Sequence, residues 1–364
     1  MARANRLRAD GRHGGILHVT HRCHLTCASL MLLAVAFVGC SLPGVNPARN
    51  QAKLTPSNLS TIRGANYRAA GATNTTHYWL NYDPVETRRD LTYAGRLKLN
   101  QVRVFVNEAS WLADKKAFRR NLRDLARACY EHRIGLMITV GDSAVFIAQD
   151  GSIERERIRA FVTELVDAVG REPALAFWDA SNEPDYNPPG SPPDRREKRI
   201  EIARLIAATL HELDKETPVT IGVAYEPTME ELADAVDVLS FHNYLPTRAA
   251  ISNDIARAKA FATRAGKPVI NTEIGCIARA NPYDVTLEEH MRAGVGWYIW
   301  ELMITRRWGD CARCVLSGWH GARPGDSRRD SRSVPQSVGK CAGGKCEPRE
   351  LGQHGHRRRP GVAG

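Results

Sequence analysis

Two glutamates, Glu183 and Glu273, stand where the amino-acid sequence most clearly predicts chemistry. Each ends a short apolar run of the kind that forms buried strands, and Glu183 lies within the tripeptide Asn182-Glu183-Pro184. Two carboxylates on opposite sides of one site could protonate a leaving oxygen and attack an anomeric carbon, which is what glycoside hydrolysis requires. Pro184 fixes its own φ and removes a backbone donor, so it helps to hold the corner that aims Glu183.

Eight candidate strands alternate with amphipathic helical segments between residues 62 and 300. The strands are predicted at Ile62–Tyr67, Gln101–Val106, Leu136–Val140, Ala174–Ala180, Val219–Val223, Val236–Phe241, Pro268–Thr272 and Val295–Trp300. Helices are predicted at 118–132, 157–169, 198–213, 255–264 and 285–291. This alternation predicts a (β/α)8 TIM barrel, an α/β fold in which reactive groups lie where the strands end. A doubly wound open sheet is disfavoured, because no G-x-G-x-x-G or Walker A loop follows any strand.

The segments at these strand ends resemble glycoside hydrolase family 5, a clan A family of cellulase-type and mannanase-type TIM barrels. The resemblance is carried by Asn182-Glu183, Glu273, His242-Asn243-Tyr244, Trp300, Ile62-Arg63-Gly64-Ala65-Asn66-Tyr67 and Asn100-Gln101-Val102-Arg103-Val104-Phe105. It covers about residues 60–310 and implies a retaining hydrolase of O-glycosyl bonds. No cofactor and no metal are predicted.

The resemblance implies two catalytic residues and three that support them. Glu273 would be the nucleophile that forms a glycosyl-enzyme intermediate, and Glu183 would act first as the acid and then as the base. Arg103 would contact Glu273 and keep it ionised, because a nearby cation favours the charged carboxylate. Tyr244 would hydrogen-bond the same carboxylate, and Asn182 would bind the substrate 2-hydroxyl, a contact that strengthens in the transition state.

Two further residues are expected to shape the substrate site. His242 would orient the site or touch the substrate, and Trp300 would offer a flat apolar face to a pyranose ring. Both of them, like Arg103 and Tyr244, also have a structural interpretation, as a barrel ion pair or as core packing. The remaining aromatic candidates near the barrel mouth are Trp79, Trp111 and Tyr225, the two tryptophans being more typical of packing. Asp142 and Glu226 are rival carboxylates that the family pattern does not favour for catalysis but that could bind sugar hydroxyls.

The net charge of +11 does not point to nucleic acid, because it lies at the two ends of the chain. Residues 1–39 carry five arginines against one aspartate, and residues 311–364 carry eleven bases against four acids, so residues 40–310 are electrically neutral. A surface that binds phosphates needs clustered Lys and Arg on the folded part. Of nine cysteines, only Cys129 and Cys276 lie within residues 41–310, so the body needs no disulfide framework.

The amino terminus resembles a bacterial lipoprotein signal. An uncharged apolar run at Leu30–Val38 follows Arg12 and Arg22, the layout of a secretory signal too short to span a bilayer permanently. The run ends in Phe37-Val38-Gly39-Cys40, which is similar to a lipobox whose cysteine is acylated after cleavage. We therefore predict a signal at 1–39, lipidation of Cys40, a linker at 40–60, and export to the periplasm or cell surface. An ordinary signal peptide is the alternative.

Residues 311–364 differ from the rest of the chain, since they show no helical period and are rich in Arg, Gly and Ser. A codon set for Cys311–Pro324, read one nucleotide later, encodes V-H-G-V-F-Y-P-D-G-T-V-R-D, which resembles the family's continuation after strand eight. We therefore predict a frameshift near Asp310, a barrel domain at 61–310 without its eighth helix, and a disordered tail. A zinc site at Cys311-x-x-Cys314 is the weaker alternative, because the second pair, Cys341 and Cys346, is loosely spaced.

Together these features predict an exported retaining β-glycoside hydrolase whose partner is an oligosaccharide or polysaccharide. A β-1,4-glucan or a β-mannan is favoured on family grounds. The alternative is a non-catalytic carbohydrate-binding surface lipoprotein, and hydrolysis of an aryl β-glycoside separates the two. The sugar, the endo or exo mode and the oligomeric state stay open.

Overall fold

Eight strands of the protein form one closed parallel barrel. The computed structural model describes residues 52–304 except 142, 193 and 277–278, and the backbone of 340–342 and 345–347. The barrel strands are β1 (Arg63–Asn66), β2 (Gln101–Val106), β3 (Gly135–Val140), β4 (Leu175–Asn182), β5 (Val219–Val223), β6 (Leu239–Asn243), β7 (Val269–Ile274) and β8 (Gly296–Ile299). Neighbouring strands pair in this order, and β8 pairs with β1, which closes the barrel. The predicted TIM barrel is confirmed.

The helices between the strands begin and end at residues suited to those positions. They are α1 (Thr75–Leu80), α2 (Pro84–Arg96), α3 (Glu108–Ala113), α4 (Lys115–Glu131), α5 (Arg155–Val169), α6 (Arg195–Leu213), α7 (Thr228–Leu232), α8 (Arg248–Ala265) and α9 (Tyr283–Ala293). Side-chain oxygens that accept first-turn N–H groups come from Asn74, Asp83, Asn107, Asp114 and Thr247. Both α8 and α9 end at a glycine with φ near 65°, a conformation that glycine adopts without strain.

Several strand bounds differ from the prediction by one to three residues, and β7 extends through Glu273 to Ile274. The strand β4 continues to Asn182, because Asn182 still pairs with Gly222 of β5. The strand β6 begins at Leu239 rather than Val236, since a 3-10 turn at Ala233–Ala235 precedes it. The strand β8 ends at Ile299, so Trp300 lies one residue beyond it.

Apolar side chains fill two separate regions. One large cluster lies between the helices and the outer faces of the strands, and it includes Leu122 of α4, Phe161 of α5 and Ile206 of α6. A smaller cluster consists of Ile62, Met137, Ala176, Phe177, Val238, Ile270 and Tyr298. Because its members come from opposite sides of the barrel and several stand at strand beginnings, they meet inside the barrel at its amino-terminal end. The polar groups described below occupy the other end.

Part of the predicted linker is bound to the barrel. The Leu54 N–H donates to Pro173 O at 2.8 Å, and the Thr55 hydroxyl donates to Ala176 O at 3.1 Å. The side chain of Gln101 in turn donates to Leu54 O at 3.2 Å. Residues 54 and 55 therefore belong with the barrel, beside the beginnings of β2 and β4, and not with a free tether.

Most predictions for the chain ends lie outside the described residues. These are the signal at 1–39, lipidation of Cys40, the frameshift near Asp310, the missing eighth helix and the zinc alternative. Within 311–364 the structure describes β9 (Lys340–Ala342) and β10 (Lys345–Glu347), which pair in antiparallel register with Cys341 opposite Cys346. Across the described part of the chain, every helix is too short or too polar to span a bilayer.

Candidate active site

The carboxyl ends of the strands bring the two predicted glutamates together. Glu183 directly follows β4, and Glu273 is the penultimate residue of β7. One carboxylate oxygen of each glutamate and a ring nitrogen of His242, in β6, all lie within 4.8 Å of one another. Since parallel strands of a barrel end at one mouth, residues far apart in the chain meet there.

Glu273 is almost fully buried, and both of its carboxylate oxygens accept hydrogen bonds. Arg103 Nη1 donates to Oε1 at 2.7 Å, and Tyr244 Oη donates to Oε2 at 2.6 Å. Burial, together with the neighbouring Glu273 carboxylate, raises the pKa of Tyr244 well above its ordinary value, so the hydroxyl stays protonated and donates. Both predicted contacts of this carboxylate are present, and they fix its orientation.

Arg103 is completely buried and links β2 to three other strands. Besides Glu273, its guanidinium donates to Asn66 Oδ1 of β1 at 2.9 Å and to Asn182 Oδ1 of β4 at 2.8 Å. Its Nε and Nη2 atoms donate to Asp179 Oδ2, also in β4, at 2.8 and 2.6 Å. Burial disfavours the charged guanidinium, but the charges of Asp179 and Glu273 outweigh burial and raise the pKa of Arg103. The contact with the predicted nucleophile and the structural ion pair are therefore both present.

Asp179 is a residue of this network that sequence reasoning missed. It is fully buried, and besides Arg103 it accepts hydrogen bonds from Thr139 Oγ1 and from the Gly222 N–H, both at 3.0 Å. These contacts connect β3 and β5 to the same carboxylate. A signal was present in the sequence, because an acid within the apolar run 174–180 requires a buried partner.

Glu183 and His242 form a second hydrogen-bonded pair, with His242 Nδ1 at 2.7 Å from Glu183 Oε1. Burial lowers the pKa of His242, but the charge of Glu273 and the hydrogen bond with Glu183 outweigh it, so the pKa is raised overall. Burial raises the pKa of Glu183, but the hydrogen bond and charge of His242 and the charge of Arg279 outweigh it, so this pKa is lowered overall. Both shifts favour the charged forms of the two groups, which suits a proton carried by His242 Nδ1 and directed at Glu183 Oε1.

The backbone of Glu183 is in an unusual conformation. Its φ is 46°, in the left-handed region that favours glycine. For a non-glycine residue this conformation costs about 1–3 kcal/mol and persists only where the surrounding structure holds it. Strain of this kind is concentrated at functional sites, so the conformation agrees with a chemical role for Glu183.

An open cleft with a volume of about 970 Å³ leads to these residues. Its walls include Asn182, Glu183, Tyr244, Glu273 and Trp300. The oxygen of Asn182 accepts from Arg103, so its amide nitrogen is the atom left to donate into the cleft. Together with Arg103 and His242 behind them, all the residues predicted for the substrate site lie at one mouth of the barrel.

None of the other three aromatic candidates is among the residues that line this cleft. Trp79 is buried in α1, and its Nε1 donates to Phe105 O at 2.8 Å. Trp111 is buried in α3, with its ring 5.7 Å from that of Phe161. Both tryptophans therefore have the packing role, because their rings are enclosed by neighbouring helices. Tyr225 is 54% exposed after β5.

Of the two rival carboxylates, Glu226 does not compete with Glu183 and Glu273. Glu226 forms an ion pair with Arg257 of α8. Glu226 is not among the residues that line the cleft, and its carboxylate is engaged by Arg257. It is therefore not placed to bind sugar hydroxyls in the cleft. Asp142 lies outside the described residues.

Arg279, in the segment after β7, is a second residue that sequence reasoning missed. Its guanidinium lies 4.4 Å from the ring centroid of Tyr244, and its side chain lines the cleft. Its charge contributes to the lowered pKa of Glu183. Nothing in the sequence around Arg279 marks it, because its importance depends on the fold that places it beside Tyr244.

The three clustered ligand atoms of Glu183, His242 and Glu273 could in principle hold a metal ion. Their existing partners argue for proton chemistry instead. Both oxygens of Glu273 already accept hydrogen bonds, and the fixed charge of Arg103 lies 2.7 Å from one of them. A bound cation would be repelled by that guanidinium, since the charge of an arginine is permanent.

Comparison with known proteins supports the fold and no more. No protein-family model matches the chain, and no curated protein matches it. Many solved structures do match. A glycoside hydrolase family 5, subfamily 18 protein from Streptomyces cattleya, a Glu-to-Ala variant in complex with Manβ1-4GlcNAc, matches with a TM-score of 0.54 and 16% identity. The match covers 72% of this chain and 82% of that one.

Two further structures show the range of similar proteins. A trimodular subfamily 4 endoglucanase of the same family matches with a TM-score of 0.53 and 14% identity, over 70% of this chain and 58% of that one. An exo-β-1,4-mannosidase from Opitutaceae bacterium strain TAV5 matches at 19% identity with a TM-score of 0.48, over 65% of this chain. This chain spans about half, 51%, of that mannosidase. The two matches with TM-scores above 0.5 show that the barrel is a TIM barrel like that of family 5 enzymes.

Proposed function

We propose that the protein is a retaining β-glycoside hydrolase that acts by double displacement. The observation that carries the proposal is that one carboxylate oxygen of each glutamate lies within 4.8 Å of the other while the two carboxylates have unlike partners. Glu273 is held by Arg103 and Tyr244, and Glu183 is paired with His242. Retaining enzymes keep their two carboxyl groups about 5–5.5 Å apart, whereas inverting enzymes need about 6.5–9.5 Å for a water between them.

In the first step, Glu273 attacks the anomeric carbon while the bond from that carbon to the leaving oxygen breaks. Glu183 supplies the proton that the leaving oxygen takes, after receiving it from His242 Nδ1 across 2.7 Å. As Glu273 loses its charge in the new ester, the electrostatic support for charged His242 weakens, which favours this transfer. Arg103 and Tyr244 orient the attacking carboxylate throughout.

In the second step, Glu183 accepts a proton from water, and the water oxygen attacks the anomeric carbon. The bond to Glu273 breaks, and the sugar leaves with its original anomeric configuration. Asn182 donates to the 2-hydroxyl, where a hydrogen bond strengthens as positive charge develops on the ring. Trp300 provides a flat wall for that ring.

We propose a β-1,4-linked glucan or mannan as the substrate. Similar structures include an endoglucanase and a complex with Manβ1-4GlcNAc. The open cleft supports an extended glycan. A non-catalytic carbohydrate-binding protein would not need two charge-coupled carboxylates, one buried and the other on a strained backbone, because such groups cost stability and cluster where chemistry occurs.

We further propose export of the protein and a lipid anchor at Cys40, on the strength of the apolar run and lipobox-like residues before it. Expression in bacteria with a radiolabelled fatty acid should label the wild-type chain and leave Cys40→Ser unlabelled. Release of both chains into the medium without label would support a plain signal peptide instead.

Replacement of Glu273 tests the proposed nucleophile. Glu273→Ala should abolish hydrolysis of aryl β-glucoside, β-cellobioside and β-mannoside substrates, because no carboxylate remains to attack. Added azide should restore turnover from the vacated space and give a glycosyl azide of inverted configuration, seen by NMR. Glu226→Ala is the matched control, since its carboxylate pairs with Arg257 outside the cleft. Full activity of Glu273→Ala would contradict the assignment.

Replacement of Glu183 tests the proposed acid and base. Glu183→Ala should reduce kcat/KM for a phenyl β-glycoside by about 10²–10⁴-fold, the usual contribution of a general acid. The 2,4-dinitrophenyl glycoside of the same sugar should be affected far less in the first step, because its leaving group needs no proton. Equal losses on both substrates would rule out the acid role.

Arg279 provides a test of the electrostatics. Its charge lowers the pKa of Glu183, so Arg279→Met should raise that pKa and let the Glu183–His242 pair keep its proton to higher pH. The alkaline limb of the kcat/KM profile should therefore move upward, and added salt should reduce the difference between variant and wild type. Arg159→Met, an exposed arginine paired with Glu212, is the control. A downward movement of the limb would contradict this account.

A further inference from the structure

We propose that Arg199 of α6 is the positioning residue that holds Glu183 in its reactive conformation. The inference rests on the proposed hydrolase function. Arg199 lies 16 residues after Glu183 in the chain and belongs to a helix, not to either strand that leads to a glutamate. Arg199 is 8% exposed, and its guanidinium binds the main chain on which Glu183 is carried.

The corner that carries Glu183 is a tight turn whose ends are hydrogen-bonded. The Glu183 N–H donates to Gly222 O of β5 at 2.7 Å, so the peptide before Glu183 is fixed to the sheet. The Tyr186 N–H donates to Glu183 O at 3.1 Å and closes the turn over Pro184 and Asp185. The left-handed φ of Glu183 lies between these two fixed points.

Arg199 holds the far side of this corner. Its Nη2 donates to Glu183 O at 2.7 Å, and its Nη1 donates to Tyr186 O. Hydrogen bonds from a charged donor are stronger than neutral ones, and a planar guanidinium can bind two carbonyls in one fixed geometry. Arg199 therefore opposes the rotation of the Glu183–Pro184 peptide that would relieve the strained φ.

The turn is also tied to the neighbouring loop by Asp185. Its carboxylate, 4% exposed, accepts from the Ala224 N–H at 2.8 Å and from the Tyr225 N–H at 3.0 Å. This contact keeps the turn against the end of β5. It does not touch the Glu183 carbonyl, so without Arg199 the Glu183 peptide would depend on the single Tyr186 bond among the contacts described here.

The consequence for chemistry is specific to proton transfer. Glu183 must lie 2.7 Å from His242 and must also reach the leaving oxygen, and both requirements fail if its backbone relaxes. Glu273 is held by Arg103 and Tyr244, which do not contact this turn. Loss of Arg199 should therefore weaken acid catalysis and spare nucleophilic attack.

The test compares phenyl and 2,4-dinitrophenyl β-glycosides of the sugar that the wild type hydrolyses in the panel above. Arg199→Met should lower kcat/KM for the phenyl substrate by about 10- to 100-fold, part of the full effect of a general acid. It should change the first-step rate for the dinitrophenyl substrate by no more than about 3-fold, because that leaving group needs no proton. Arg199→Lys, which keeps the charge and can reach one carbonyl, should lie between Arg199→Met and wild type.

A double-mutant cycle separates positioning from general stabilisation. In a Glu183→Gln background, Arg199→Lys should cause no further loss on the phenyl substrate, because there is no acid left to position. The proposal would be overturned if Arg199→Lys caused the same fold-loss in the Glu183→Gln background as in the wild type. Equal losses on the phenyl and dinitrophenyl substrates would also overturn it. If Arg199→Met does not fold, as judged by its melting curve, the Arg199→Lys comparison decides alone.

The control is Arg196→Lys on the same helix, whose guanidinium pairs with Glu231 and does not bind the turn. It should match wild type on both substrates. Absence of turnover by the wild type on every glycoside of the panel would refute the hydrolase function itself. Normal wild-type turnover with an unaltered Arg199→Lys variant would refute only the role of Arg199.

Discussion

The buried guanidinium of Arg103 is the constraint on which the site depends. A charge that cannot be lost by deprotonation must have anionic partners when it is withdrawn from water. Asp179 on one side and Glu273 on the other provide them, and the amide oxygens of Asn66 and Asn182 accept the remaining bonds. The relative positions of β1, β2, β4 and β7 at the barrel mouth are thereby coupled to one side chain.

This constraint makes the two glutamates unequal. Glu273 is tied to a permanent cation and a phenol that stays protonated, so its orientation is fixed. Glu183 shares a proton with His242, and its side chain is more exposed, 16% against 6% for Glu273. Two titratable groups whose surroundings differ in this way can take different parts in one reaction. The proposed nucleophile and the proposed acid thus follow from their partners.

The sequence predicts those features of the fold that are local in the chain. Apolar runs between polar segments mark all eight strands, and Asn182-Glu183-Pro184 marks the corner after β4. The pairing of Asp179 with Arg103 was not predicted, because it depends on the register between β2, β3 and β4.

Features set by tertiary packing were missed for the same reason. Arg199 and Arg279 look like ordinary surface arginines until the fold places them beside Glu183 and Tyr244. The burial of Trp79 and Trp111 likewise depends on which faces of α1 and α3 turn inward. The end of β8 depends on how far its ladder with β1 and β7 continues.

The barrel interior also divides along its axis into an apolar part and a polar part. Tyr298 and Phe177, both fully buried, belong to the apolar cluster at the amino-terminal end, and Arg103 is fully buried as well. Charge interactions are stronger in such surroundings, so Arg103 and Glu273 hold each other firmly where solvent cannot compete. Glu183 lies instead on the side open to the cleft. That is where a water molecule must arrive for the second step of the proposed reaction, so the residue that must activate it is the one that the fold leaves accessible.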